Sequence, residues 1–245
     1  MTDQSIVQLQ NLTKSYTEGK HTRTILDNIS ATFNRGEFVL LLGQSGSGKS
    51  TLLNLISGLD APDRGDILVN GLTINRLSER ERTIFRREHI GFVFQFFNLI
   101  PTLTVFENIT LPLQLNGGVK QAREQEIAAL IEQVGLSQRQ HAFPDRLSGG
   151  EQQRVAILRA IAHNPTLLLA DEPTGNLDEE TGQRIIHLLL HLTRQANRTL
   201  IMATHNPEII PLADKVYRIK NGQLLPAPNP GGGLGTRPST ARIDF

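Results

Sequence analysis

The chain is predicted to be an α/β protein built on a mostly parallel sheet, and three observations predict it. Apolar runs of strand length alternate with stretches of helical period. A glycine-rich loop lies at a strand-to-helix junction, between Phe38-Val-Leu-Leu-Leu42 and residues 50–57. That run, like 166–170 and 199–203, is apolar at consecutive positions, as a strand buried on both faces requires.

Each element follows in order. Residues 6–12 and 25–33 alternate apolar with polar, which predicts two half-buried strands. Asn34-Arg35-Gly36 then turns the chain into the strand at 38–42. Gly58 stops the helix at 50–57. A short strand at 66–69 ends in the turn pair Asn70-Gly71, a charged helix spans 78–88, and an apolar strand spans 90–95. Residues 96–163 read differently: Pro101, Pro112 and Gly117-Gly118 break the front, and helices are predicted at 121–134 and 148–163. With no strand pattern there, this region is expected to be a helical insertion. Beyond it, strands at 166–170 and 199–203 flank a helix at 179–196, and 215–225 reads as a hairpin around Asn221-Gly222. Residues 226–245, with four prolines and four glycines in twenty, are expected to form a flexible tail.

Composition narrows the function classes. In 245 residues, 25 Lys plus Arg balance 24 Asp plus Glu, so no surface dedicated to coating nucleic acid is expected. The absence of cysteine removes disulfides, thiolate metal sites and cysteine nucleophiles. The first ten residues carry no signal-peptide pattern, and no apolar run approaches the roughly 20 residues of a membrane helix.

The chemistry begins at Gly43, Gln44, Ser45, Gly46, Ser47, Gly48, Lys49 and Ser50, which match G-x-x-x-x-G-K-[ST]. Its glycines let successive N–H groups turn inward on phosphate oxygens, and the helix beginning there adds the positive end of its dipole. Lys49 is expected to reach the β and γ phosphates, and the Ser50 hydroxyl to ligate Mg²⁺. A chance match occurs in roughly one chain of this length in a hundred, and the strand–helix setting argues against chance. Asp171 and Glu172 end an apolar strand, placing Asp171 to hold Mg²⁺ and Glu172 to act as general base or to orient water. Gln95 and His205 also follow strands; His205 suits the γ phosphate, Gln95 the metal or the water. Leu147-Ser148-Gly149-Gly150-Glu151-Gln152-Gln153 opens a helix with Ser148 as N-cap, a second anion cradle remote from the first in sequence. One nucleotide needs one cradle, so the second is expected to serve a neighbouring molecule's ATP.

Together with Gly175-Asn-Leu-Asp178, these motifs stand in the order found in ABC-type ATPases, which the chain resembles over about residues 5–225. The resemblance implies a single P-loop ATPase domain, 1–225. Its nucleotide-binding core, 1–95 and 164–225, has an antiparallel β subdomain, and the helical subdomain spans 96–163. It further implies Tyr16 stacking on adenine, Thr51 beside the phosphates, and Glu172 as catalytic base with His205, Gln95 and Lys49. Ser148, Gly149, Gly150 and Glu151 would bind the partner's ATP in a head-to-tail homodimer, with Asp178 communicating across it. ATP and Mg²⁺ are the expected cofactors, and closure and reopening of the dimer would drive separate permease subunits at the cytoplasmic face of the cell membrane.

Residues 88–104 and 169–178 are similar to the lipoprotein-release and macrolide-export branch, in which an extracytoplasmic accessory protein is a further candidate partner. Phe96, Phe97, Leu99 and Ile100 read either as core or as a groove for a permease helix. Two rivals stand beside transport: an ATP-driven regulator of an envelope complex, and a soluble ATPase acting on nucleic acid or ribosomes. The His187/His191 pair reads as a solvated helix face, and the arginines between 76 and 87 read as surface ion pairs.

Overall fold

The structure is a computed structural model that describes residues 5–19, 21–118 and 121–228. Strands β1 (Ser5–Glu18) and β2 (His21–Asn34) form a long antiparallel pair, joined by β4 (Arg64–Val69) and β5 (Leu72–Thr73) in the order β2-β1-β4-β5. The second sheet runs β10-β9-β3-β8-β7-β6, with β6 (Ile90–Val93), β7 (Leu167–Asp171), β8 (Thr199–Thr204), β3 (Phe38–Leu42) and β9 (Lys215–Lys220) all parallel. Only β10 (Gln223–Pro226) pairs antiparallel, through the hairpin expected at Asn221-Gly222. The mostly parallel core and the antiparallel subdomain are therefore both present.

Every residue of β3 is buried, because the sheet is covered on both faces. Phe38, Leu40 and Leu42 join one apolar cluster with α3 (Val105–Leu115), α4 (Gln121–Gln133), α5 (Gly149–Ile161) and α6 (Glu179–Gln195). Val39 and Leu41 point the other way, into a cluster with α1 (Lys49–Ser57), α2 (Glu79–His89) and the antiparallel sheet. The period-2 alternation of β3 thus assigns its side chains to two separate cores. Helix α5 packs on β6 so closely that a Cβ on Gly91 would overlap the Ala160 carbonyl.

Several expectations are corrected. β1 and β2 extend well past 6–12 and 25–33, with register shifts near Asn11 and Asn28, whose φ angles of 51° and 50° mark the bulges. The strand expected at 90–95 ends at Val93. Pro112 does not break the chain: it lies inside α3, a helix missing from the sequence reading. That helix is held by a Thr104–Glu107 capping box, and the first-turn N–H groups of Val105 and Phe106 donate to the carbonyls of Ala142 and Gln140. Tertiary partners outweigh the proline there. Among the described residues, 96–163 contains no strand, as expected. Most of the tail at 226–245 lies outside the described residues.

Candidate nucleotide site

β3 delivers Gly43 to the carboxyl edge of the parallel sheet, and the loop curls into α1. Gly46 and Gly48 have φ of +73° and +106°, in the left-handed region that favours glycine. A Cβ on Gly48 would also come within 2.9 Å of Ile25 on β2. No side chain caps the start of α1, so its first N–H groups and its dipole are left to a ligand. Inside the curl, Lys49 is buried, and its ammonium donates to the carbonyls of Gly43 (2.8 Å) and Gln44 (3.3 Å). The Ser47 hydroxyl is buried without a partner.

β7 brings Asp171 and Glu172 to the same edge. Burial pushes the Asp171 carboxyl up, the charge of Glu172 adds to this, and a hydrogen bond from Ser50 and the charge of Lys49 oppose it. Asp171 Oδ1 has no partner although it is buried. A hydroxyl facing a carboxylate with an orphaned oxygen is a hard-oxygen donor set, which fits Mg²⁺ completed by phosphate oxygens and water. Glu172 leaves the strand with φ +45°, a strained conformation for a residue with a side chain, and its N–H donates to Ala203 O at 2.9 Å. The strain aims the carboxylate between two cations or donors: Oε1 lies 3.4 Å from Lys49 Nζ, and Oε2 lies 3.0 Å from His205 Nδ1. His205, one residue past β8, is exposed on its other side.

Gln95 stands two residues beyond β6, with its side-chain amide against Gly175 and its carbonyl accepting from Asn176 Nδ2 at 2.9 Å. It is thereby tied to the turn that follows Glu172 rather than hydrogen-bonded to Glu172 itself. Tyr16, on β1, is partly exposed, and its hydroxyl donates to Asp60 at 2.8 Å. The Thr51 hydroxyl, in the first turn of α1, works against the rise that burial and Asp60 give this phenol.

The second glycine motif lies elsewhere. Two clefts, of about 830 and 670 Å³, flank His205, one along Gly43–Ser47 and one along Glu172 and Asp178. Neither is lined by Ser148, Gly149, Gly150 or Glu151. Ser148 caps α5 by accepting from the Glu151 N–H, and the Glu151 carboxylate accepts from the Ser148 N–H. Of the N–H groups that an anion cradle would use beyond Ser148, the capping box takes that of Glu151. Gly149 and Gly150 face Leu177 and Thr181, so the motif is braced on the turn carrying Asp178, which itself caps α6 through Thr181 N at 2.9 Å. Gln153, fully buried, adds a bond from its amide to Pro173 O at 2.7 Å, a tie with no recognised pattern in the sequence. Lys14 and Asp60 were also missed, although strand alternation puts Lys14 on the face of Tyr16.

Among the described residues no cluster of three His, Cys, Asp or Glu forms a metal site, so the His187/His191 pair has no third ligand. Arg76, Arg82 and Arg86 pair with Asp66 and Glu79, as surface ion pairs.

The model of the ABC transporter family matches residues 26–175. This chain belongs to that family. It is an ATP-binding cassette and an ATPase. An uncharacterized ABC transporter ATP-binding protein of Mycobacterium tuberculosis is 60% identical over 94% of this chain and 92% of its own. The lipoprotein-releasing system ATP-binding protein LolD of Coxiella burnetii is 43% identical over 91% and 97%. The ABC transporter ATP-binding protein YbbA of Escherichia coli is 45% identical over 91% and 98%. The dimeric ATP-binding cassette MJ0796, in a post-hydrolysis state with ADP and Pi, matches with a TM-score of 0.82 at 40% identity, covering 89% of this chain and 96% of that one. In this cassette, among the described residues, no helix is long and apolar enough to cross a membrane.

Proposed function

We propose that this cassette is the ATP-hydrolysing subunit of a transporter of the lipoprotein-release type, acting on a separate membrane permease that carries the cargo. The observation that carries the catalytic part is the seat of Glu172 between Lys49 and His205 at the edge of the phosphate loop. Lys49 and the loop N–H groups bind the phosphates of ATP. Glu172 accepts a proton from water as its oxygen bonds to the γ phosphorus, the bond from that phosphorus to the bridging oxygen breaks, and ADP leaves with its electron pair. His205 holds the Glu172 carboxylate in line, and Gln95 ties the following turn to β6. Ser50 and Asp171, with Gln95, would hold Mg²⁺, which when bound neutralises charge on the β and γ oxygens.

The homodimer reading is supported by the separation of the two glycine motifs within one chain and by the dimeric MJ0796 structures. Ser148–Glu151 and Asp178 of one copy would complete the site of the other. The permease reading is supported by Phe96 and Ile100, which are exposed just after Gln95 while Leu99 packs inward. The same face would hold the subunit against the cytoplasmic side of the membrane.

Glu172→Gln tests the chemistry: ATP binding is retained and hydrolysis falls by about 10²- to 10⁴-fold; normal turnover would refute it. Capture of this variant with ATP from detergent-solubilised native membranes tests the partner. Recovery of a permease with a large extracytoplasmic domain supports the transporter reading, and recovery of soluble nucleic-acid or ribosomal partners alone removes it.

A further inference from the structure

Tyr16 is not a free aromatic at the end of a strand. Its hydroxyl donates to Asp60 Oδ2 at 2.8 Å, while the other oxygen of the same carboxylate accepts from Lys14 Nζ, also at 2.8 Å. The Lys14 ammonium has a second acceptor in Ala61 O at 2.8 Å, and it stands 5.0 Å from the centroid of the Tyr16 ring. A lysine has three donors: two go to oxygens here, and the cation also lies over the ring, whose negative face attracts it. Lys14 is only 8% exposed while Tyr16 is 40% exposed, so the charge is fixed and sheltered while the ring keeps an open side.

The brace is anchored. The Ala61 N–H donates to Asp60 at 2.7 Å, Ser15 N–H donates to Asp63 at 2.6 Å, and Asp63 N–H donates back to Thr13 O at 2.9 Å. Asp60 stands two residues past the Gly58 cap of α1, the helix whose other end is the phosphate loop. Burial pushes the Asp60 carboxyl up, but the bonds from Lys14, Tyr16 and Ala61 outweigh it and hold the group below the ordinary carboxylate range. The Tyr16 phenol is raised by burial and by its bond to Asp60, so it remains a donor.

We propose that Lys14 and Asp60 are positioning residues for the nucleotide base: they lock the Tyr16 ring to the end of the phosphate-loop helix and close one of its faces, so that the purine stacks only on the other. This rests on the reading of Tyr16 as the base platform. A ring fixed in this way presents its open face at one angle to the phosphates, and stacking then costs no ordering of the side chain.

The test compares ATP with ribose 5′-triphosphate, which has the phosphates and sugar but no base, in binding measurements on folded Lys14→Met, Asp60→Asn and Tyr16→Ala proteins. The expected result is a loss of ATP affinity of about fivefold in Lys14→Met and Asp60→Asn. Ribose triphosphate binding should be unchanged, KM for ATP should rise with kcat held, and Lys14→Met should have no further effect in the Tyr16→Ala background. Equal weakening of both ligands, or a fall in kcat alone, would mark a general structural role and overturn the proposal. A loss of ATP affinity in Tyr16→Ala but not in Lys14→Met or Asp60→Asn would overturn the brace and leave the platform standing. No change in Tyr16→Ala would remove the platform and the brace together. Should Lys14→Met fail to fold, Asp60→Asn alone decides between these outcomes.

Discussion

Two helices begin at glycine-rich turns and complete those turns in opposite ways. At α1 the N-cap is Gly48, held at φ +106° with no side-chain cap, so the helix start is open to an anion. At α5 the N-cap is Ser148, whose capping box with Glu151 serves the helix from within, and Glu151 pairs in turn with Arg139 at 3.3 Å. The first turn is built around a buried ammonium; the second is braced on Leu177 and Thr181 of the Asp178 turn. The far ends differ too. α1 closes on Gly58 in the left-handed conformation, whereas α5 runs out at Ala162, whose carbonyl is taken by Arg123, and is followed by the half-buried His163. The contrast teaches that two glycine-rich helix starts can be finished differently: α1 leaves all its first N–H groups unserved by side chains, whereas α5 gives that of Glu151 to its own cap and keeps those of Gly149 and Gly150 outside the capping box.

The sharpest break of this contrast is Lys49→Ala. Removing a charge-assisted donor costs about 1.5–3 kcal/mol, so ATP affinity should fall by about 10- to 150-fold. Equilibrium titration with a fluorescent ATP analogue reads it, and a loss under threefold would contradict the assignment. Next comes pH, at the far end of α5. Burial, partly offset by the bond to the Ile90 carbonyl, lowers His163 to about 4 from an ordinary 6.5. The folded state therefore binds this proton less well than the unfolded state. The stability is present above about pH 6.5 and lost as pH falls toward 4, by about 2 kcal/mol between pH 7 and 5. Urea unfolding at the two pH values should show that loss in the parent protein and a smaller one in His163→Gln.

Gly150→Ala brings a Cβ to 2.7 Å from Thr181 Cγ2 and should spread α5 from the Asp178 turn. Hydrolysis is expected to fall about tenfold, with ATP binding measured at dilute, monomeric concentrations unchanged. Weaker binding by the monomer would place the second glycine turn in its own chain's site. The smallest effect is Ser148→Ala, which removes the cap and should lower stability by about 1 kcal/mol. A thermal melt without a shift would mean that Glu151 and Arg139 hold the helix start unaided.

Much of this was legible because local chemistry forced it. The buried run at 38–42, the glycines at 46 and 48, the acidic pair at 171–172 and the hairpin at 221–222 each have one physical use in that setting. What escaped has partners distant in sequence. Nothing near Pro112 signals that α3 will be held by carbonyls of residues 140 and 142. Nothing in Lys14 announces Asp60, 46 positions away.

The amino-acid order by itself determined the phosphate loop, the strand that carries Asp171 and Glu172, and the two helix starts, since each depends on side-chain size, φ preference and apolar period over a few residues. The tertiary structure alone decided which of these share a site. The parallel order of β3, β8 and β7 brings Lys49 to 3.4 Å and His205 to 3.0 Å from the Glu172 carboxylate, while packing of α5 on β6 and α6 holds Ser148–Glu151 out of the clefts beside the phosphate loop. Contacts between residues far apart in the chain depend on how whole faces are buried against each other, and a local pattern of residue types does not encode that.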